Sequence, residues 1–173
     1  MYLNMPNIRI VGFAFMILCL MAACSTPPEY PNEPILNYKS LSRVSIPQSS
    51  GTTNQIDTLV IRMGFTDGDG DLGDKDSINI FLTDSRDGFQ HIFKINEIPQ
   101  LGSGTGISGE IAIKLTNSAS TKYFCCTFPN TRVTCIPSTE YPQDTMSYAI
   151  RVRDRSGNWS NTIRTETFSI LCQ

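Results

Sequence analysis

The chain has 173 residues, of which 40% are apolar and 17% are charged. This balance is ordinary for a globular domain and too apolar for a disordered chain. The 14 basic and 16 acidic residues leave a formal charge of −2. That charge argues against a nucleic-acid-binding protein, which needs a basic face to displace the counterions of phosphates. The length fits one domain, or one domain with a tail, and is short for an α/β barrel.

The first 23 residues are predicted to be a signal peptide. Residues 10–23 form an apolar run of 14, which is too short for a transmembrane helix but typical of a secretory signal. The end of this run, LMAAC at Leu20–Cys24, resembles the lipobox of bacterial lipoproteins. The resemblance implies cleavage before Cys24, lipid attachment at Cys24, and a place in the bacterial cell envelope, with the outer membrane expected. The alternative is a secreted protein with Cys24 as a free thiol.

Residues 24–39 are predicted to tether the folded domain to the lipid. The stretch 25–34, STPPEYPNEP, holds four prolines in ten residues. Proline fixes φ and lacks a backbone donor, so this stretch cannot form a helix or an inner strand. We expect an extended spacer of about 3.1 Å per residue, followed by the folded domain at residues 40–173.

From about residue 40 the sequence alternates apolar and polar residues, as half-buried strands do. In one such run Tyr148, Ile150 and Val152 are predicted to point inward, with Arg151 and Arg153 outward. No window of 11 or more residues has a helical period. The runs lie at 57–67, 77–84, 89–95, 109–116, 146–154 and 167–172. About seven or eight short strands predict an all-β fold, a two-sheet antiparallel sandwich, with a jelly roll or small barrel as the alternative.

The end of the chain resembles a known kind of domain. Residues 148–170 read YAIRVRDRSGNWSNTIRTETFSI, which resembles the last hairpin of immunoglobulin-like and fibronectin type III-like bacterial domains. The resemblance implies an immunoglobulin-like sandwich, in which the loop after the second strand and the loop of the last hairpin lie at the same end. Trp159 follows the turn, whereas an antibody-type domain carries its tryptophan in an early central strand.

The acidic loop, Asp67–Asp76, reads DGDGDLGDKD and carries five aspartates in ten residues. Seven acids between Asp67 and Asp87 stand against Lys75 and Arg86, a net of −5. Such crowding destabilises a fold unless a cation offsets it, and calcium takes six to eight oxygen ligands. We therefore predict a calcium site, with a solvated polar turn as the alternative. The predicted ligands are Asp67, Asp69, Asp71, Asp74 and Asp76, completed by Asp154 or Asn158 from the last hairpin.

The spacing of these aspartates also resembles the start of an EF-hand loop and the repeats of thrombospondin type 3 and dockerin modules. Two positions depart from the EF-hand. Leu72 stands where that loop needs glycine, and Ile78 stands where it needs a bidentate glutamate. No flanking helices are predicted, so the sequence favours a calcium-binding β-loop over an EF-hand.

Four cysteines remain after the signal peptide and Cys24 are set aside. An exported domain lies in a compartment that permits disulfides. The run YFCCTFPNTRVTCIP predicts a hairpin that places Cys125 opposite Cys135, within bridging distance. Neighbouring strand residues face opposite ways, so Cys126 and Cys172 are both predicted to point into the core. The favoured pairing is therefore Cys125–Cys135 and Cys126–Cys172, with a structural zinc site as the alternative.

The sequence favours a protein that is not an enzyme. The one histidine, His91, lies in an alternating strand pattern, and no nucleophile elbow, phosphate loop or HExxH motif occurs. We expect a non-catalytic, membrane-anchored domain that binds an envelope protein or a glycan, for adhesion or scaffolding. The alternatives are an accessory subunit of an envelope export, motility or nutrient-uptake complex, and a small envelope hydrolase.

Overall fold

The structure is a computed structural model that describes residues 29–49, 56–99, 106–129 and 134–173. The predicted signal peptide and Cys24 lie outside these residues. The described part is all-β, with ten strands and no helix, so it holds no helix that could cross a membrane.

Six of the ten strands fall in the alternating runs predicted from the sequence, and four were not predicted. In chain order they are β1 (Ile35–Leu41), β2 (Ser45–Pro47), β3 (Thr58–Asp67), β4 (Ile80–Asp84), β5 (Gln90–Phe93), β6 (Ile107–Thr116), β7 (Gln143–Met146), β8 (Tyr148–Val152), β9 (Ile163–Arg164) and β10 (Phe168–Leu171).

The strands pair in three sheets. Their orders are β1-β3-β6, β2-β10-β7 and β5-β4-β8-β9. All of these pairs are antiparallel except β2 and β10, which are parallel. The expectation of a purely antiparallel pair of sheets is therefore corrected. The two parallel strands are far apart in the chain, so no hairpin forces them to run in opposite directions.

The sheets β2-β10-β7 and β5-β4-β8-β9 are continuous with each other, because two strands of one lead directly into two strands of the other. β7 passes into β8 with only Ser147 between them, and β9 passes into β10 through residues 165–167. The register of β10 on β7 differs by one residue from that of β9 on β8, as at a β-bulge. These two sheets form one layer, and β1-β3-β6 forms the other, so the architecture is sandwich-like. The strand predicted at 146–154 corresponds to β8, and β1, β2, β7 and β9 are the four strands that were not predicted.

The core lies between the layers and is built by the inward residues of the alternating runs. Ile61 and Met63 of β3 and Ile150 and Val152 of β8 have no exposed surface. Each such side chain contributes about 1.5–3 kcal/mol when it leaves water. The segment that follows β6 adds Phe124, which is also fully buried.

The folded body begins earlier than the sequence suggested. β1 starts at Ile35, inside the range 24–39 that was predicted to be tether, and Pro34 is buried. The N–H of Gly68 donates a hydrogen bond to Pro31 O at 2.7 Å. Proline composition excludes an inner strand, but a proline just before a strand needs no ladder donor. The end of the proline-rich stretch therefore docks on the acidic loop.

Two disulfides join the segment between β6 and β7 to itself and to the end of the chain. They are Cys125–Cys135 and Cys126–Cys172, which is the pairing that the sequence favoured. Cys126 lies opposite Thr134 in an antiparallel bridge, and the same register sets Cys125 opposite Cys135. The turn of this hairpin, residues 130–133, lies outside the described residues.

Candidate cation site at one end of the sandwich

The acidic loop folds back over the end of the sandwich because one of its residues is apolar. Leu72 is fully buried, and its N–H donates a hydrogen bond to Asp67 Oδ2 at 2.8 Å. The next residue, Gly73, has a φ of +90°, and a Cβ there would lie 2.3 Å from Asn96 O. Only glycine fits that position. The leucine that departs from the EF-hand pattern is thus what anchors this loop to the core.

Four aspartates from two loops converge at this end. Asp67, Asp69 and Asp71 come from the acidic loop, and Asp154 comes from the loop between β8 and β9. One carboxylate oxygen of each lies within 4.8 Å of the others. The two loops therefore meet at one end of the sandwich, as the sequence predicted, and the four side chains could hold a metal ion.

Two of these carboxylates present a buried oxygen that no described donor reaches. Asp67 Oδ1 and Asp71 Oδ1 are buried and accept no hydrogen bond from a described residue. The second oxygen of each is held: Asp71 Oδ2 accepts hydrogen bonds from Ser156 N at 2.9 Å and Ser156 Oγ at 2.7 Å. Leaving a carboxylate oxygen buried and unpaired is costly, since it has lost its water on folding. The arrangement therefore fits a cation bound between these oxygens.

The electrostatics of the cluster point the same way. Burial, together with the charges of Asp69, Asp71 and Asp154, raises the pKa of Asp67 to about 6. Burial first, and then the charge of Asp71, raises the pKa of Asp69. The nearby Arg155 does not relieve this repulsion directly, because its Nη1 donates to Gly73 O at 2.7 Å. A divalent cation would offset the crowded negative charge.

Asn158 positions Asp154 within the cluster. Its backbone N–H donates to Asp154 Oδ1 at 2.7 Å, and its Nδ2 donates to Asp154 Oδ2 at 2.9 Å. The sequence offered Asp154 and Asn158 as alternative ligands. In the structure Asp154 joins the other three carboxylates, and Asn158 orients it.

Asp74 and Asp76 lie outside this group of four. Asp74 Oδ1 accepts a hydrogen bond from Asp76 N at 2.8 Å, and this contact lowers the pKa of Asp74. Asp76 is exposed. Of the five aspartates of this loop that were predicted as ligands, three lie in the cluster, and Asp74 and Asp76 do not. The chain turns at Leu72 and Gly73 towards β4, which carries the later aspartates away.

His91 lies in a separate cleft of about 590 Å³ beside β5. Its ring is half-buried and packs edge-on against Phe89 at 4.9 Å and Tyr123 at 5.0 Å. Burial lowers its pKa, so the ring is neutral at pH 7. These contacts are typical of a packed strand residue, as the alternating sequence pattern predicted for this histidine.

One surface feature was missed at the level of sequence. The outward positions of Arg151 and Arg153 were identified, but nothing connected them to Trp159. The structure stacks Arg151 over the Trp159 ring, 4.0 Å from its centre. The isolated bridge between Arg153 and Trp159 brings the tryptophan beside β8. In the sequence, the only sign of this contact was the Asp-x-x-Gly-Asn turn that lies between Arg153 and Trp159.

Comparisons with protein-family models, curated proteins and solved structures found no match for this chain.

Proposed function

We propose that this protein is a lipid-anchored, calcium-stabilised binding domain of the bacterial cell envelope, built as an immunoglobulin-like sandwich and without catalytic activity. The observation that carries the proposal is the convergence of Asp67, Asp69, Asp71 and Asp154 from two loops. The buried oxygens of Asp67 and Asp71, which accept no hydrogen bond from a described residue, support ion binding more strongly than the crowding of carboxylates alone.

The ligand chemistry of the cluster favours calcium among the common divalent cations. Calcium takes six to eight oxygen ligands, carboxylates among them, at about 2.3–2.6 Å in flexible geometry. Four carboxylate oxygens that lie within 4.8 Å of one another can supply part of such a shell. Magnesium demands near-ideal octahedral geometry and keeps several waters, so a cluster of four protein carboxylates suits it less well.

The strand order supports the immunoglobulin-like architecture. In such a sandwich, strands A, B and E lie in one sheet and strands C, F and G in the other. The sheet β1-β3-β6 corresponds to A-B-E, and β4-β8-β9 corresponds to C-F-G. The acidic loop is then the B–C loop and the loop carrying Asp154 is the F–G loop, which share an end.

The lipid anchor rests on the LMAAC motif that ends at Cys24. Only ten residues lie between Cys24 and the start of β1 at Ile35, and these span at most about 36 Å when fully extended. An anchored domain of this kind is held close to the lipid surface, which suits display or scaffolding at the envelope.

Calcium should raise the melting temperature of the protein, and a chelator should lower it. At tenfold excess over Kd the gain in unfolding free energy is about 1.4 kcal/mol, or roughly 3–6 °C for a domain of this size. Replacing Asp69 and Asp71 together by asparagine should abolish the difference. Because this change also removes repulsion, the double variant should melt higher than the wild type in chelator and lower in calcium.

The matched control is Asp74→Asn with Asp76→Asn, which removes the same charge from the same loop outside the cluster. This control should keep the calcium effect. Asp154→Ala should weaken calcium binding, since it removes the ligand from the second loop. A melting temperature that neither calcium nor chelator changes would reject the calcium site and leave the loop as a polar turn.

A further inference from the structure

The outer face of the sheet β5-β4-β8-β9 carries three arginines among exposed apolar side chains. Arg151 lies opposite Phe81 in the β4–β8 register, and Phe81 lies opposite Ile92 on β5. Arg164 of β9 lies opposite Ala149, one row along. We call this surface the arginine–tryptophan face; it consists of Phe81, Ile92, Arg151, Arg153, Trp159 and Arg164.

The positive charge of this face is not compensated within the described part of the protein. Arg151, Arg153 and Arg164 are exposed, and none of them forms an ion pair with a described residue. By contrast, Arg62 on the other layer pairs with Glu110 at 3.0 Å. Three uncompensated cations on one sheet of a chain with a net charge of −2 complement an anionic partner.

The guanidinium groups are held in position before any partner arrives. Arg151 stacks over the Trp159 ring at 4.0 Å, and Arg153 lies 5.6 Å from the same ring centre. Arg153 Nε also donates to Gly157 O at 3.3 Å. Cation–π stacking restrains these side chains and leaves N–H edges for a ligand, which reduces the ordering cost of binding.

Exposed apolar surface lies between and beside the arginines. Ile92 is 51% exposed and Trp159 is 38% exposed, and the Phe81 ring lies 4.9 Å from that of Trp159. Apolar side chains in such a face can pack against the C–H faces of sugar rings, while arginine forks pair with carboxylates in a bidentate way. The Cα atoms of Arg151 and Arg153 are about 6.7 Å apart on an extended chain. Arg164 lies on the neighbouring strand β9, so the arginines form an extended patch that suits a linear polymer.

We propose that the arginine–tryptophan face binds an acidic polysaccharide, a chain of sugars that carries carboxylates. The inference rests on the proposed function, because it names the partner class of that binding domain. A lipid surface is less well matched, since insertion requires a continuous apolar face, and here arginines interrupt it.

The test uses the full chain in a neutral detergent with calcium present. Trp159 is the only tryptophan, so its fluorescence reports on this face alone. Hyaluronate is a suitable probe, as a soluble uronate polymer with a carboxylate on every second sugar. We expect a saturable change of Trp159 fluorescence with hyaluronate, which weakens as salt rises. The methyl ester of the same polymer, which lacks the charges, should give none.

The variant that tests the face is Arg151→Gln with Arg153→Gln, which should raise the Kd for hyaluronate at least tenfold. Its control is Lys114→Gln with Lys122→Gln, which removes the same charge from exposed positions elsewhere and should leave the Kd unchanged. An unchanged melting temperature in both variants shows that the fold is kept.

Several results would overturn the proposal: no saturable change with hyaluronate, equal binding of the methyl ester, or equal loss in both variants. Binding to vesicles of phosphatidylglycerol through Arg151 and Arg153, without binding to hyaluronate, would assign the face to a membrane instead. If hyaluronate fails while calcium still raises the melting temperature, only the partner class is rejected. If hyaluronate binds while calcium has no effect, the calcium site is rejected and the face stands.

Discussion

Arg86 joins buried polar groups from three parts of the fold. Its side chain is 9% exposed and donates to Asp84, to Asp144 Oδ2 and to Cys125 O, with the last two contacts at 2.7 Å. Thr127 donates to the same Asp144 oxygen through N at 2.8 Å and Oγ1 at 2.7 Å. The turn after β4, strand β7 and the disulfide segment are therefore joined at one guanidinium.

Arg86→Gln should lower the unfolding free energy by about 3–5 kcal/mol, because it leaves Asp84 and Asp144 buried without their cation. Denaturation in urea measures this loss. The control is Arg62→Gln, whose ion pair with Glu110 is exposed on both sides, so its loss should change the unfolding free energy little. Similar losses in the two variants would show that burial of the Arg86 contacts does not matter.

The same contacts make part of the unfolding free energy sensitive to acid. Burial alone would raise the pKa of Asp144, but hydrogen bonds from Thr127 and Arg86 outweigh it and hold that pKa below its usual value. Stability from this group is therefore complete above the unfolded pKa of about 3.9 and is lost as the pH falls towards the folded value. The unfolding free energy should fall less steeply with acid in Arg86→Gln than in the wild type.

The segment between β6 and β7 is held in place without regular strands. Its described residues form an isolated bridge between Cys126 and Thr134 but no strand. Phe124 O accepts a hydrogen bond from Ser49 N at 2.8 Å, and Tyr123 O accepts one from the Tyr148 hydroxyl at 3.1 Å. Without a strand ladder, this segment relies on its buried aromatic ring and its two disulfides.

Removing the disulfide Cys126–Cys172 should destabilise the protein more than removing Cys125–Cys135. The first closes a loop with a sequence separation of 46 and the second one of 10. The chain-entropy relation then gives losses of about 4 and about 3 kcal/mol. Paired substitutions of each bridge by alanine, compared by urea denaturation without reductant, measure both. A larger loss on removing Cys125–Cys135 would mean that this disulfide stabilises the protein by more than the loop it closes in the unfolded chain.

At the scale of the whole molecule, the end of the proline-rich stretch and the cation site form one structure. Gly68 lies between Asp67 and Asp69, and a Cβ on it would lie 2.2 Å from Tyr30 O and 2.6 Å from Pro31 O. The backbone that leads towards the predicted lipid anchor therefore rests directly on the acidic loop.

Gly68→Ala should displace this stretch, and it should both weaken calcium binding and speed proteolysis before Ile35. Overpacking of this kind costs about 1–3 kcal/mol. Gly64→Ala is the control, since Gly64 lies within β3 and a Cβ there would meet the flexible Lys39 side chain at 3.2 Å and no backbone atom nearer than 3.7 Å. The calcium affinities of Gly68→Ala and of its control are measured in parallel. An unchanged affinity in Gly68→Ala would show that the proline-rich stretch and the acidic loop are independent.

The proposed lipid anchor is tested by Cys24→Ser. The variant should accumulate as an uncut precursor and take up no labelled palmitate, because the proposal makes the Cys24 thiol the group that is acylated. Continued cleavage at the same bond together with labelling would reject the lipoprotein interpretation.

Much of the fold follows from local physics that the sequence displays. Alternation of apolar and polar residues identifies strands such as β3 and β6, because a half-buried strand must present one apolar face. The disulfide pairing followed from the same alternation, since Cys126 and Cys172 share the inward face. The acidic loop was visible as a charge excess, and its meeting with Asp154 followed from the expected sandwich.

Only the tertiary structure decided which aspartates converge and which residues hold the layers together. Burial of Leu72 turns the acidic loop, so Asp71 faces the cluster while Asp74 does not, and no spacing rule contains that turn. The single guanidinium of Arg86 collects partners that lie up to 58 residues away, a separation at which local pattern carries no signal. The sequence by itself determined six of the ten described strands and the charge excess, because these depend on neighbours along the chain. The candidate cation site, the docked proline stretch and the arginine–tryptophan face depend on neighbours in space, which only the packed sandwich brings together.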